Sequence, residues 1–205
     1  MQRTSILKNP IIYIFGVCLA IEIAVLTIPD LIGYLAVFTD TWYKEPWTLV
    51  TSMFTHSNSD IWHFLFNMIT LYFLGNFLHN MIGTKRFLFV YFLAGIVGNL
   101  FFVLIFPLLN PDTIGATVGA SGAIFGVGAA LAVLEPMSKI MIFPIPIPVP
   151  MWVGISGLLV IMTFISYFGG SIAWEAHLGG AIVGALYAIF LRKVTFKYYY
   201  RKKRP

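Results

Sequence analysis

Six long apolar stretches, at residues 11–28, 61–82, 87–108, 117–134, 151–168 and 173–191, take up most of the 205-residue chain. Each meets or approaches the ~20 residues with which a helix crosses a hydrocarbon core of ~30 Å. In lipid a chain must pair its own backbone N–H and C=O groups, and a helix does so within one segment. The stretches therefore predict an all-α integral membrane protein, a compact bundle of six transmembrane helices forming one domain over residues 1–205. Only 10% of the residues are charged and 59% are hydrophobic, with a mean hydropathy of +0.88. So few charges cannot solvate a globule of this length, and lipid must cover much of the surface.

The net charge of +5 raises the question of nucleic acid, and the distribution of charge answers it. With the first residue inside, the inner segments carry Arg3, Lys8, Lys85, Arg86, Lys139, Arg192, Lys193 and the run to Arg204, whereas the outer segments carry only Lys44. This asymmetry predicts that both termini are cytoplasmic. The basic tail at 192–205 reads as an anchor at anionic headgroups, so the expected partner is the bilayer and not nucleic acid. The expected location is the membrane of a prokaryotic cell, crossed many times. The first stretch lacks a small-residue cleavage site and reads as a retained span. The single cysteine, Cys18, lies inside it and reads as a core thiol.

Between the first two stretches runs an outer loop, residues 30–60, rich in apolar and aromatic residues such as Leu31, Tyr34, Trp42, Trp47 and Phe54. It is expected to fold onto the membrane interface. Gly169-Gly170-Ser171 reads as the last outer turn. On the inner side Phe143–Pro150 alternates proline with apolar residues. Proline fixes φ and removes a donor, so this segment is expected to be a stiff, extended connector.

Depth decides which polar groups can meet. Ser121 stands 14 residues before Glu135 at the inner end of the fourth stretch, a rise of about 21 Å. His177 stands 15 residues before Arg192, about 22 Å. On the second stretch Asn67 is at about 22 Å and His63 one turn higher, on the same face. Small residues allow close approach: Gly119, Gly122 and Gly126 on the fourth stretch, Gly180 and Gly184 on the sixth. Gly122/Gly126 and Gly180/Gly184 have GxxxG spacing. Gly180 and Gly184 share the face of His177.

A serine hydroxyl becomes a nucleophile when a base takes its proton, and a neutral histidine suits the task. Ser121 and His177 are therefore the candidate catalytic dyad. His63, Asn67 and the backbone N–H of Ser121, free near a helix start, are the candidate oxyanion donors. Glu175 sits two residues from His177, on a different face, so no third acid is expected. No cofactor is expected either, and with HExxH absent no metal site. Glu22 in mid-membrane is a functional candidate by default, and a protonated or hydrogen-bonded structural role is the favoured reading. His56 and His79 read as structural.

Gly119-Ala120-Ser121-Gly122 resembles the GxSG motif of the rhomboid family, intramembrane serine proteases. Ala176-His177-Leu178-Gly179-Gly180 resembles its AHxxG motif, and His63 to Asn67 its HxxxN motif. The likeness implies a rhomboid-like bundle, a serine endopeptidase activity, and transmembrane proteins as substrates. It also gives Phe125 the place of an aromatic residue packing on the histidine. Two departures stand out: Thr48 follows Trp47 where the family commonly has arginine, and the stretch from Trp47 to His63 is longer than usual.

Each motif alone has a blander reading. Gly-Ala-Ser-Gly is ordinary packing in a membrane helix, and a His/Asn pair can simply join two helices. Their coincidence at one depth favours the protease. The alternative is a catalytically silent rhomboid-like protein that binds membrane clients. A small transporter or channel would call for inverted repeats or more intramembrane charge.

Overall fold

The computed structural model describes residues 9–28, 30–142, 145–168 and 172–202. Helix α1 (Pro10–Thr27) starts where Asn9 accepts the Ile11 N–H through its side chain, with Pro10 in the first helical position. The outer loop then folds into α2 (Leu31–Leu35), β1 (Val37–Phe38), α3 (Thr48–Thr51) and a 3-10 turn at Ser52–Phe54. Asp60 accepts the Trp62 N–H at 3.0 Å and so caps α4 (Ile61–Thr70). This helix runs through a π turn at Leu71–Gly75 into α5 (Asn76–Ile82). Gly83, at φ +80°, ends α5 and opens α6 (Thr84–Leu109). There follow β2 (Ala116–Thr117), α7 (Ser121–Leu134), β3 (Lys139–Ile142), β4 (Ile145–Pro150), α8 (Met151–Tyr167) and α9 (Trp174–Lys202).

Among the described residues, four segments are long and apolar enough to cross a membrane: Pro10–Thr27, Ile61–Ile82, Thr84–Leu109 and Trp174–Lys193. The chain is a mostly helical integral membrane protein. Helices α7 and α8 are apolar but shorter, at 14 and 17 residues, about 21 and 26 Å long. Helix α7 is the core of the molecule, with Gly122–Leu131 buried throughout. A helix that is apolar on every side belongs inside other helices, and α6, α8 and α9 pack around it.

Helix α7 begins at Ser121 and not at residue 117. Thr117 belongs to β2, which pairs antiparallel with β1 in the register Val37↔Thr117 and Phe38↔Ala116. Hydropathy does not register this break, because Val118 and Ala120 are as apolar as a helix interior. The short strand ties the outer loop to the segment just before Ser121. Helix α9 ends later than residue 191 and continues to Lys202, since nothing between Arg192 and Lys202 is proline or glycine. The expected turn at Gly169-Gly170-Ser171 lies outside the described residues, as do Phe143, Pro144 and residues 203–205.

The proline-alternating segment is not a lone connector. Ile145–Pro150 pairs antiparallel with β3, Ile140 opposite Val149 and Ile142 opposite Ile145. With proline at every second position, the missing donors all point to one edge, and a two-stranded ribbon has such an edge free. Ile140 and Ile142 turn the ribbon onto α8 at Gly154. In the outer loop, Thr48 is buried and its hydroxyl donates to the Glu45 carbonyl at 2.6 Å, so this position caps a turn. Glu22 is also buried, but neither carboxyl oxygen has a hydrogen-bond partner among the described residues.

Candidate active site

The site is built where the N-terminus of α7 meets the first turns of α9. Ser121 is the first residue of α7, and its backbone N–H is among those a helix start leaves without an intrahelical acceptor. The chain enters it through Gly119, whose φ of +122° is a conformation that side chains rarely adopt. The Gly119 N–H donates to the Ser52 carbonyl at 2.9 Å. Gly119 is thus a turn residue and not part of the helix–helix contact expected of it.

His177 is buried on α9, and its Nε2 lies 2.8 Å from Ser121 Oγ in a hydrogen bond. Phe125, one turn below Ser121, stacks on the imidazole with ring centroids 4.5 Å apart and planes at 25°. The other ring nitrogen, Nδ1, has no partner among the described residues, and Glu175 is buried with Oε2 likewise unpaired.

Close approach makes this bond possible. A Cβ built on Gly180 would fall onto the Gly122 carbonyl oxygen, and one on Gly184 onto that of Gly126. Gly126 itself lies against Ala94 and the Gly180 carbonyl. Backbone therefore touches backbone along α7 and α9, and their separation is set by the absence of side chains.

His63 faces Ser121 from α4. A Cβ on Gly119 would stand 2.8 Å from His63 Nε2 and 3.6 Å from Ser121 Oγ, so ring, turn and hydroxyl meet at one spot. Asn67 is buried one turn further along, and its amide donates to the His63 carbonyl at 2.8 Å. That bond uses one of two amide hydrogens. It also holds the backbone that carries His63.

One neighbour was not apparent from the sequence. His56, expected as a structural residue at the interface, is fully buried and packs edge-on against His63 and Phe64, each at 5.3 Å between centroids. Burial pushes its pKa down to about 3, with His63 adding a smaller push in the same direction. The wall behind His63 is therefore a neutral imidazole. It lies in non-helical backbone ahead of the Asp60 cap, so its spacing from His63 does not announce it.

The geometry defines a polytopic membrane protein with a hydrogen-bonded serine–histidine pair on its central helices. The chain belongs to the rhomboid family: the Rhomboid domain model matches residues 43–194. It is 32% identical over 151 residues to rhomboid protein 1, mitochondrial, of Saccharomyces cerevisiae, covering 73% of this chain and 43% of that protein. It is 31% identical over 169 residues to the rhomboid protease AarA of Providencia stuartii, covering 74% and 56%. Against rhomboid-like protease 3 of Toxoplasma gondii it is 31% identical over 152 residues, covering 72% and 52%. The chain spans about half the length of these curated relatives. The family includes proteases and mitochondrial members, and the mitochondrial relatives lend no support to the expectation of a prokaryotic cell membrane.

Proposed function

We propose that this chain is an intramembrane serine endopeptidase that cleaves membrane proteins within or beside the outer part of a transmembrane segment. The observation that carries this reading is the 2.8 Å hydrogen bond between Ser121 Oγ, at the start of α7, and His177 Nε2. With Nε2 unprotonated, His177 accepts the hydroxyl proton as Oγ attacks the scissile carbonyl carbon. The C–N bond then breaks, and His177 returns the proton to the leaving amine. Water, activated by the same imidazole, hydrolyses the acyl-enzyme. The Ser121 N–H, His63 Nε2 and the Asn67 amide serve the oxyanion. In this reading both chain termini lie on the Lys/Arg-rich side, the cytoplasmic one, with six helices crossing the bilayer. Ser121 then sits roughly 10 Å below the outer boundary.

Two features bear on the substrate. An open groove of about 190 Å³ is lined by Ile32, Ala36, Phe38, Thr117 and Val118, the last of which precedes Ser121 by three residues in the chain. It suits an apolar side chain near the scissile bond. The Gly119 turn lies against both His63 and Ser121, and in this reading the residue at the bond itself is small. Substrates are therefore single-span proteins with Gly, Ala or Ser near the outer end of the span, where glycine weakens the helix by about 1 kcal/mol relative to alanine. A silent client-binding role needs neither hydroxyl nor base, yet both stand hydrogen-bonded. The test is a fluorogenic model span in liposomes, carrying Gly-Ala or Leu-Leu at that depth. Faster cutting of the Gly-Ala span in its outer part is the expected result; no cleavage, or cuts at the cytoplasmic end, would sink the reading.

The oxyanion assignment has its own expected result. Loss of one such donor lowers turnover by ~10²–10³. Asn67→Ala is expected to slow cleavage by that order while a fluorophosphonate still labels Ser121. An intact fold in which Ser121 no longer labels would give Asn67 a more direct part.

A further inference from the structure

Asn99 lies on α6, 15 residues from its start at Thr84, about 22 Å up and level with Ser121. It is 6% exposed. Its side-chain nitrogen donates twice, at 2.9 Å to the Leu49 carbonyl and at 2.9 Å to Ser52 Oγ. Both acceptors belong to the outer loop, at α3 and the 3-10 turn. The Ser52 carbonyl in turn accepts the Gly119 N–H at 2.9 Å. One amide is thus linked, through a single loop residue, to the positive-φ turn that delivers the nucleophile.

The preceding residue bears on the other half of the pair. A Cβ on Gly98 would stand 2.5 Å from the Ala176 carbonyl oxygen and 3.5 Å from the Gly180 nitrogen. Ala176 adjoins His177. Two consecutive residues of α6 therefore hold the supports of both Ser121 and His177, and neither touches the reacting atoms.

We propose that Asn99 is a positioning residue, which with Gly98 against α9 sets Ser121 in line with His177 through Ser52 and Gly119. The proposal rests on the dyad reading given above. An amide suits this place because one nitrogen supplies both hydrogens. A carboxylate donates none, and an apolar isostere leaves the Leu49 carbonyl and the Ser52 hydroxyl without their donor in a buried place. If Asn99 merely fastened the outer loop to α6, its loss would lower stability and leave chemistry alone in whatever remained folded.

The test uses the full chain in liposomes: wild type, Ser121→Ala, Asn99→Leu and Ser52→Ala. Four readings are taken: melting temperature, kcat, KM on a model span, and the rate at which a small fluorophosphonate labels Ser121. Asn99→Leu is expected to lower kcat by about 10- to 10²-fold, the scale set by a misplacement of about 1 Å. KM stays unchanged, and labelling slows with kcat. Ser52→Ala removes one acceptor but keeps the carbonyl that Gly119 uses, and lowers kcat by a smaller factor. Should Asn99→Leu fail to fold, Ser52→Ala decides the matter alone. Wild-type kcat and labelling in the folded variants, or a change in KM only, overturns the proposal whatever the melting temperatures are. Wild type no faster than Ser121→Ala removes the protease reading and this one with it. Wild type outrunning Ser121→Ala while Asn99→Leu keeps pace removes this one only.

Discussion

Ser121→Ala and His177→Ala are each expected to abolish cleavage while leaving a protein that still folds in detergent. The two groups form one hydrogen-bonded unit, and removing either member of such a unit costs on the order of 10⁶ in kcat. The double variant should be no slower than either single one. The stability readout separates the two. Ser121→Ala deletes one hydroxyl whose hydrogen bond contributes about 1 kcal/mol. His177→Ala also deletes the ring stacked on Phe125, a contact worth about 0.5–1.5 kcal/mol beyond its buried area. His177→Ala should therefore melt lower than Ser121→Ala while both are equally inactive. Turnover, fluorophosphonate labelling and thermal unfolding of the purified variants check this. Wild-type-like turnover in either one would remove the dyad.

Much of this arrangement was legible because helices are rulers. Counting residues from the charged inner ends puts Ser121 and His177 at one depth, and GxxxG spacing turns the two helices toward each other. What counting could not reach was the non-helical backbone. Hydropathy runs unbroken across residue 117 to residue 121, so the strand at Ala116–Thr117 and the turn at Gly119 are invisible to it. The prolines of β4 suggest an isolated extended strand, because pairing depends on a partner elsewhere in the chain. His56 and Asn99 sit 7 residues upstream of His63 and 22 residues upstream of Ser121. They reach the site through tertiary packing that no local period encodes. The His63 side of the site shares this origin, since Gly119, bound to Ser52 of the loop that Asn99 of α6 holds, is the residue that meets His63.

The second large effect concerns Gly180 and Gly184. Lipid is as apolar as the helices it bathes, so α7 and α9 gain little from leaving it and are held by packing. That packing is backbone on backbone. A methyl group on Gly184 would fall onto the Gly126 carbonyl oxygen, and one on Gly180 onto the Gly122 carbonyl oxygen. Neither obstacle is a side chain that can swing aside, so α9 must move away from α7. Overpacking of this kind typically costs 1–3 kcal/mol, and alanine's better helix propensity returns at most about 1 kcal/mol of it. Function should suffer more than stability, because His177 rides on the helix that moves. A displacement of about 1 Å can lower turnover ~10²-fold. Gly180→Ala, three residues from His177, should lose at least as much activity as Gly184→Ala. Gly157→Ala is the control: a Cβ there meets nothing within 4 Å, so it should keep wild-type activity and melt no lower. Thermal unfolding and cleavage of a model span by the three variants decide the question. A Gly184→Ala protein with wild-type melting and turnover would mean that the contact between α7 and α9 yields more easily than its carbonyl positions allow.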